Sequence, residues 1–218
     1  MKKFYFSLFL LLISLQSFSQ AKDWAGFGRY AESNKTVAKG SKAVFMGNSI
    51  TEGWINQRPD FFKNNQFISR GISGQTTSQM LVRFRNDVLE LNPKNVVILA
   101  GTNDIAQNNG YISNENIVSN IASMCELAKL HKINVVLCSV LPATIYPWKK
   151  EIDAVTNIRE LNKLLKDYAK KNKITYVDFY EKMKDSRNGL PKEYTSDEVH
   201  VTPKGYEVME ALLLPNLK

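Results

Sequence analysis

Ala43-Val44-Phe45-Met46-Gly47-Asn48-Ser49-Ile50-Thr51-Glu52-Gly53-Trp54 passes from a short, wholly apolar strand pattern through a Gly-led turn into a helical segment. A strand with no polar alternation is buried on both faces, which is the pattern of parallel sheets. Four further runs repeat it, at Phe67 to Arg70, Asn95 to Ala100, Asn134 to Val140 and Thr175 to Phe179. Helical patterns lie between them, the clearest being Ile117, Ile121, Cys125, Ala128 and then Ile158, Leu161, Leu165, Tyr168. Parallel strands need crossover connections that put helices on the sheet faces, so the expected class is α/β with both faces covered. The last helix announces its start: Thr202 suits the cap, Pro203 the first helical position, and Val201 can staple against Tyr206.

The 218 residues are 44% hydrophobic and 23% charged, which places them among ordinary globular chains and excludes a disordered or low-complexity one. One domain is expected, preceded by a leader. Lys2 and Lys3 stand before an apolar run from Phe4 to Leu15, and Ser17-Phe18-Ser19 supplies small residues for cleavage. Residues 1–19 therefore read as a secretory signal peptide, with the domain at 20–218 and export to the periplasm or the exterior. The apolar run is too short to span a bilayer, so no stable membrane anchor is expected. Without Lys2 and Lys3 the charge of +8 falls to +6, and the basic residues follow helix faces, as at Lys163, Lys166 and Lys170, which gives no nucleic-acid groove. Cys125 and Cys138 sit in apolar surroundings; a disulfide is not demanded, and no metal site is suggested.

In open α/β sheets the crevice lies beyond the carboxyl ends of the strands, which directs attention to three loops. After the first strand, Ser49 enters a helix; taken alone it reads more readily as a simple cap, as Thr51 does, than as a nucleophile at a positive helix end. After the second, Gly71-Ile72-Ser73-Gly74-Gln75-Thr76-Thr77 is either a cradle of backbone N–H groups or a plain turn before a Thr-capped helix. After the third, Gly101-Thr102-Asn103-Asp104 puts an amide at the strand end. Only His131 and His200 can serve as a base near neutral pH, where an unperturbed imidazole titrates at about 6.5. His131 closes a helix in a Lys-rich stretch, which leaves His200, with Asp197 three residues earlier able to fix its tautomer.

Gly47-Asn48-Ser49-Ile50-Thr51, Gly71 to Thr77, Gly101 to Asp104 and Asp197-Glu198-Val199-His200 resemble the four ordered blocks of the SGNH/GDSL hydrolase family, within it most closely the acetylhydrolase-like and carbohydrate-esterase branches. The resemblance implies a flavodoxin-like three-layer α/β/α fold with five parallel strands in the order 2-1-3-4-5, and neither cofactor nor metal. It implies Ser49 as nucleophile, Asp197 and His200 as its partners, and the Ser49 and Gly74 N–H groups with the Asn103 amide as the oxyanion hole. The chain departs from the family pattern at Asn48, where Asp is usual, and around His200, where Glu198 and Val201 replace the family's residues.

The expected activity is carboxylic ester hydrolysis through an acyl-enzyme, with a glycan or small-molecule ester as substrate and deacetylation of a carbohydrate favoured. Lysophospholipid or short-chain lipid esters form the same-class alternative, and a non-catalytic carbohydrate-binding protein the alternative from another class. Two aromatics after the fourth strand, Tyr146 and Trp148, are candidates for substrate contact, with packing an equal reading. Trp54 is expected beneath the Ser49 helix.

Overall fold

The computed structural model describes residues 23–217, so the signal peptide expected at 1–19 lies outside the described residues. Five strands form one sheet: β1 (Ala43–Gly47), β2 (Phe67–Gly71), β3 (Asn95–Leu99), β4 (Asn134–Cys138) and β5 (Thr175–Val177). Every pairing is parallel and the order is β2-β1-β3-β4-β5. This is the doubly wound order expected from the resemblance, and its reversal point falls at β1, between β2 and β3.

Side chains alternate across each strand and feed two separate cores. Val44, Met46, Val96, Ile98 and Leu137 face the layer of α4 (Thr77–Asp87), α6 (Asn114–Leu130) and α7 (Ala154–Lys171). Phe45, Val97, Leu99, Val136 and Cys138 face the opposite layer, built from α2 (Ser49–Gln57), α3 (Pro59–Asn64), α8 (Phe179–Met183) and α9 (Pro203–Leu213). Trp54 is wholly buried in that second core, stacked between Phe61 and Tyr206, as expected of it. Its indole N–H donates to Glu210 Oε1 at 3.1 Å, which satisfies the polar atom such a residue would otherwise strand. Short helices α1 (Ala31–Thr36) and α5 (Thr102–Ile105) complete the set.

Three strands stop earlier than their apolar runs, for local reasons. Phe179 begins α8 because Asp178 caps that helix, accepting from Glu181 N at 3.1 Å. Val140 leaves the ladder because the Asn162 side chain of α7 binds both its N–H and its carbonyl, at 2.7 and 2.9 Å. Ala100 lies one residue past the end of β3, where the chain turns into α5. The start of α9 is as the sequence indicates, with Thr202 accepting from Gly205 N at 3.3 Å and Pro203 at the first position. Cys125 and Cys138 are free and buried, one in each core.

The carboxyl ends of β1 and β2 are closed off unusually tightly. A Cβ on Gly47 would lie 2.0 Å from Thr51 Oγ1, and one on Gly71 would lie 2.3 Å from the Glu52 amide nitrogen, so only glycine lets α2 cross this close to the strand ends. Beneath that crossing sits Arg83 of α4, fully buried. It donates to Gly47 O at 3.2 Å, Arg70 O at 2.9 Å, Gln75 Oε1 at 2.6 Å and Asp87 Oδ2 at 2.7 Å. One guanidinium thus ties together β1, β2 and the loop that follows β2.

Candidate active site

Ser49 is the first residue of α2, set at the positive end of the helix by the Asn48 cap, whose Oδ1 accepts from Ile50 N at 3.0 Å. Asn caps a helix as well as Asp does, so the departure from the family residue keeps the cap and removes only the charge. Ser49 Oγ lies 3.0 Å from His200 Nε2, and His200 Nδ1 lies 2.6 Å from Asp197 Oδ2. The other Asp197 oxygen accepts from the backbone N–H groups of Val199 and His200 at 3.0 and 2.7 Å. Burial pushes the Asp197 carboxyl up, but the bonds from the His200 ring and from these two amides outweigh it and hold the group below the usual carboxylate range. An ionised carboxylate accepts at Nδ1, which leaves Nε2 as the lone-pair nitrogen facing the hydroxyl.

His200 and Asp197 reach this position on an irregular segment rather than on a strand or helix. The isolated bridge between Thr195 and Val201 closes the loop, and the Thr202 cap fixes its exit. Glu198, between the two functional residues, takes a left-handed backbone with φ of 74°. Its carboxylate accepts from Thr144 Oγ1 at 2.8 Å and pairs with Arg187 at 3.2 Å, contacts that a glycine at this position would lack.

The cleft at Ser49 has a volume of about 300 Å³ and is lined by Ser49, Ser73, Gly74, Asn103, Asn108, Trp148 and His200. Gly74 and Asn103 therefore converge on the Ser49 hydroxyl from two different strand ends. The Asn103 side chain is buried and lines the cleft, and its Nδ2 donates to Gln75 O at 3.0 Å. Asp104, next along, binds Thr77 through its N–H at 3.0 Å and its hydroxyl at 2.6 Å, joining α5 to the start of α4. Burial raises the Asp104 carboxyl, an effect these bonds only partly oppose. In the β2–α4 loop Gly74 lines the cleft, and Thr76 caps α4, its own N–H donating to Gln79 Oε1 at 3.0 Å.

The two aromatics after β4 separate. Trp148 forms a wall of the cleft, 43% exposed, with its ring centroid 6.4 Å from that of His200 and its N–H on Asn108 Oδ1 at 3.0 Å. Tyr146 is wholly buried in the core beneath it, so the expectation of direct substrate contact is corrected for this residue: its ring packs on Trp148 at 5.6 Å and supports that wall from behind. His131 ends α6, with Nδ1 on Leu127 O at 2.9 Å, far along the chain from any residue of the cleft. Among the described residues no three His, Cys, Asp or Glu side chains gather as metal ligands.

Sequence reasoning did not single out Arg83, Gln75 or Glu52. Glu52, three residues after Ser49 on α2, accepts from Ser73 N at 2.9 Å and from the Ser73 hydroxyl, and pairs with Arg29 at 2.7 Å. The spacing from Ser49 could have flagged it, because residues three apart on a helix share a face.

With this geometry in place, likeness to known proteins becomes informative. Residues 45–208 match the model of the GDSL-like lipase/acylhydrolase family. The chain belongs to that family. A GDSL-like lipase from Bacteroides thetaiotaomicron VPI-5482 is 50% identical, with a TM-score of 0.86 over 88% of this chain and 97% of that one. The acetyl xylan esterase AlAXEase shares the fold at 19% identity, with a TM-score of 0.67 over 81% of this chain and 99% of its own. Among curated sequences, the uncharacterized lipoprotein YqeF of Bacillus subtilis (strain 168) is 25% identical over 142 residues, which span 63% of this chain and 57% of YqeF.

Proposed function

We propose that the protein is a serine esterase that hydrolyses carboxylic esters through an acyl-enzyme and removes acetyl groups from a carbohydrate. The observation that carries this reading is the unbroken path from Ser49 Oγ to His200 Nε2 and from His200 Nδ1 to Asp197, at 3.0 and 2.6 Å. Ser49 attacks the ester carbonyl while His200 takes its proton; Asp197 stabilises the imidazolium and keeps the ring oriented. The tetrahedral oxyanion is held by the N–H groups of Ser49 and Gly74 and by the Asn103 amide. His200 then protonates the departing alcohol, and a water molecule, activated by the same imidazole, attacks the acyl-enzyme and frees the acid.

The lining of the cleft supports a short acyl group, since among the described residues that form it none carries an aliphatic side chain on which a fatty chain could lie. The half-exposed Trp148 face supports a sugar as the alcohol portion, because a flat indole suits the apolar face of a pyranose. AlAXEase, an acetyl xylan esterase by name, has the same fold. Export by the signal peptide, to the periplasm or beyond, agrees with the lipoprotein nature of YqeF.

Purified mature protein and its Ser49→Ala variant, assayed on p-nitrophenyl acetate, butyrate and a long-chain ester, and then on acetylated xylan and a lysophospholipid, test this reading. The expected result is turnover falling with acyl length, acetate release from xylan, and a silent variant. Failure of a fluorophosphonate probe to label Ser49 overturns the serine mechanism. Fatty-acid release exceeding acetate release overturns the substrate class.

A further inference from the structure

The segment before α1 makes more contacts with the β2–α4 loop than a linker would. Asp23 folds it into a turn, its carboxylate accepting from Phe27 N at 2.9 Å and Gly28 N at 2.7 Å. The turn presents one carbonyl to α4 and one to the loop before it: Trp24 O accepts from Gln79 Nε2 and Ala25 O from Gln75 Nε2, both at 2.6 Å. Arg29 reaches Glu52, which in turn holds Ser73, and the Tyr30 hydroxyl donates to Gly71 O at 2.5 Å. Gly26 permits this approach, since it has φ of +72° and a Cβ there would lie 3.1 Å from both Gln75 Nε2 and Ile72 Cδ1.

The bonds that leave this turn reach residues 71–79 directly or, for Arg29, through Glu52, and Gln75 is their hub. Its side chain joins Ala25 O to the buried Arg83, while its backbone carbonyl accepts from the Asn103 amide at 3.0 Å. Gly74, immediately before it, and Asn103, bonded to it, are the two oxyanion donors that come from outside the Ser49 turn. We infer that residues 23–30 form a strap whose grip on Gln75, Ser73 and Gly71 positions the Gly74 and Asn103 donors, making Gln75 a positioning residue for the oxyanion hole. This rests on the esterase reading above. A strap of this kind acts on the transition state and leaves ground-state binding alone, because the oxyanion exists only after attack has begun.

The test compares the wild type with Gly26→Val, which drives the strap away from Gln75, and Tyr30→Phe, which removes a single bond and is the milder change. Each is measured for kcat and KM on p-nitrophenyl acetate, for Tm, and for amide hydrogen exchange in peptides covering 71–77 and, as a control, 95–99. The expected result for Gly26→Val is a kcat lowered about tenfold, short of the 10²- to 10³-fold of deleting a donor outright. KM should stay within about twofold, with faster exchange confined to 71–77. Tyr30→Phe should move the same quantities in the same direction by less. Unchanged kcat alongside accelerated exchange overturns the inference, as does unchanged exchange at 71–77 in both variants. Should Gly26→Val fail to fold, Tyr30→Phe decides by the same criteria. A wild type with no turnover at all identifies a failure of the esterase reading instead, and the exchange comparison then still decides whether the strap holds the loop.

Discussion

The two halves of the candidate site are built differently. Asn48, beside Ser49 in sequence, and Asn103, which lines the same cleft, are 1% and 3% exposed and bonded to Ile50 N and Gln75 O. The side chains of Asp197 and His200 keep 39% and 44% of their surface in solvent and are held mainly by bonds within four consecutive residues. The proposed nucleophile and oxyanion donors therefore sit among buried bonds at the carboxyl end of the sheet. The acid–base pair is fixed by a local turn docked onto it. Damage to the first half should cost stability and activity together, whereas damage to the second should cost activity alone.

His200→Ala gives the largest effect in this scheme. Turnover of p-nitrophenyl acetate should fall by about 10⁴-fold, while the unfolding free energy from urea titration stays within about 0.5 kcal/mol of the wild type. A loss of stability above 2 kcal/mol would erase the distinction between the halves. Arg83→Leu probes the other half. It strands Asp87, 2% exposed, and frees two strand-end carbonyls, so unfolding free energy should drop by about 3–5 kcal/mol. The double variant Arg83→Leu/Asp87→Leu should recover much of that loss, which urea titration of the three proteins would measure.

Asn103→Ala combines both costs on a smaller scale: a fall of roughly 10²- to 10³-fold in kcat, with some stability lost because Gln75 O has no donor. Unchanged turnover would remove Asn103 from the oxyanion hole. The smallest effect concerns pH. Burial pushes the Glu52 carboxyl up, but the Ser73 and Arg29 bonds outweigh it and hold the group below the usual glutamate range. A lowered folded-state value means that the stabilisation is complete above the ordinary range near 4.3 and disappears as pH falls through the lowered value. Tm should therefore fall more steeply on acidification below about pH 4 in the wild type than in Glu52→Gln. The corresponding difference in unfolding free energy should be on the order of 1 kcal/mol, since solvent reaches the Arg29 side of the pair.

What the sequence discloses follows the same division. Five apolar runs, the helical periods at Ile117 and Ile158, and the Thr202-Pro203 start of α9 are local patterns, and each corresponds to an element of the fold. The four motif blocks could be located because each is contiguous. Tyr146 could not be told from Trp148, as two aromatics separated by one residue in an irregular loop carry no periodicity to say which one turns inward. Arg83 was equally hidden: within its helix it is one more cation, and only the convergence of β1, β2 and the β2–α4 loop on its guanidinium reveals its part. The same holds for Gln75, whose partners Ala25 and Asn103 are 50 and 28 residues away in sequence.

Cys125 and Cys138 occupy opposite faces of the sheet, and desolvation pushes both thiols up, Cys125 to about 12. Protonated and shielded, neither offers a thiolate to an oxidant or an alkylating reagent while the fold is intact. Each therefore serves as a silent reporter for its own layer. The rate at which iodoacetamide modifies one relative to the other would tell whether the two cores come apart in concert or one before the other.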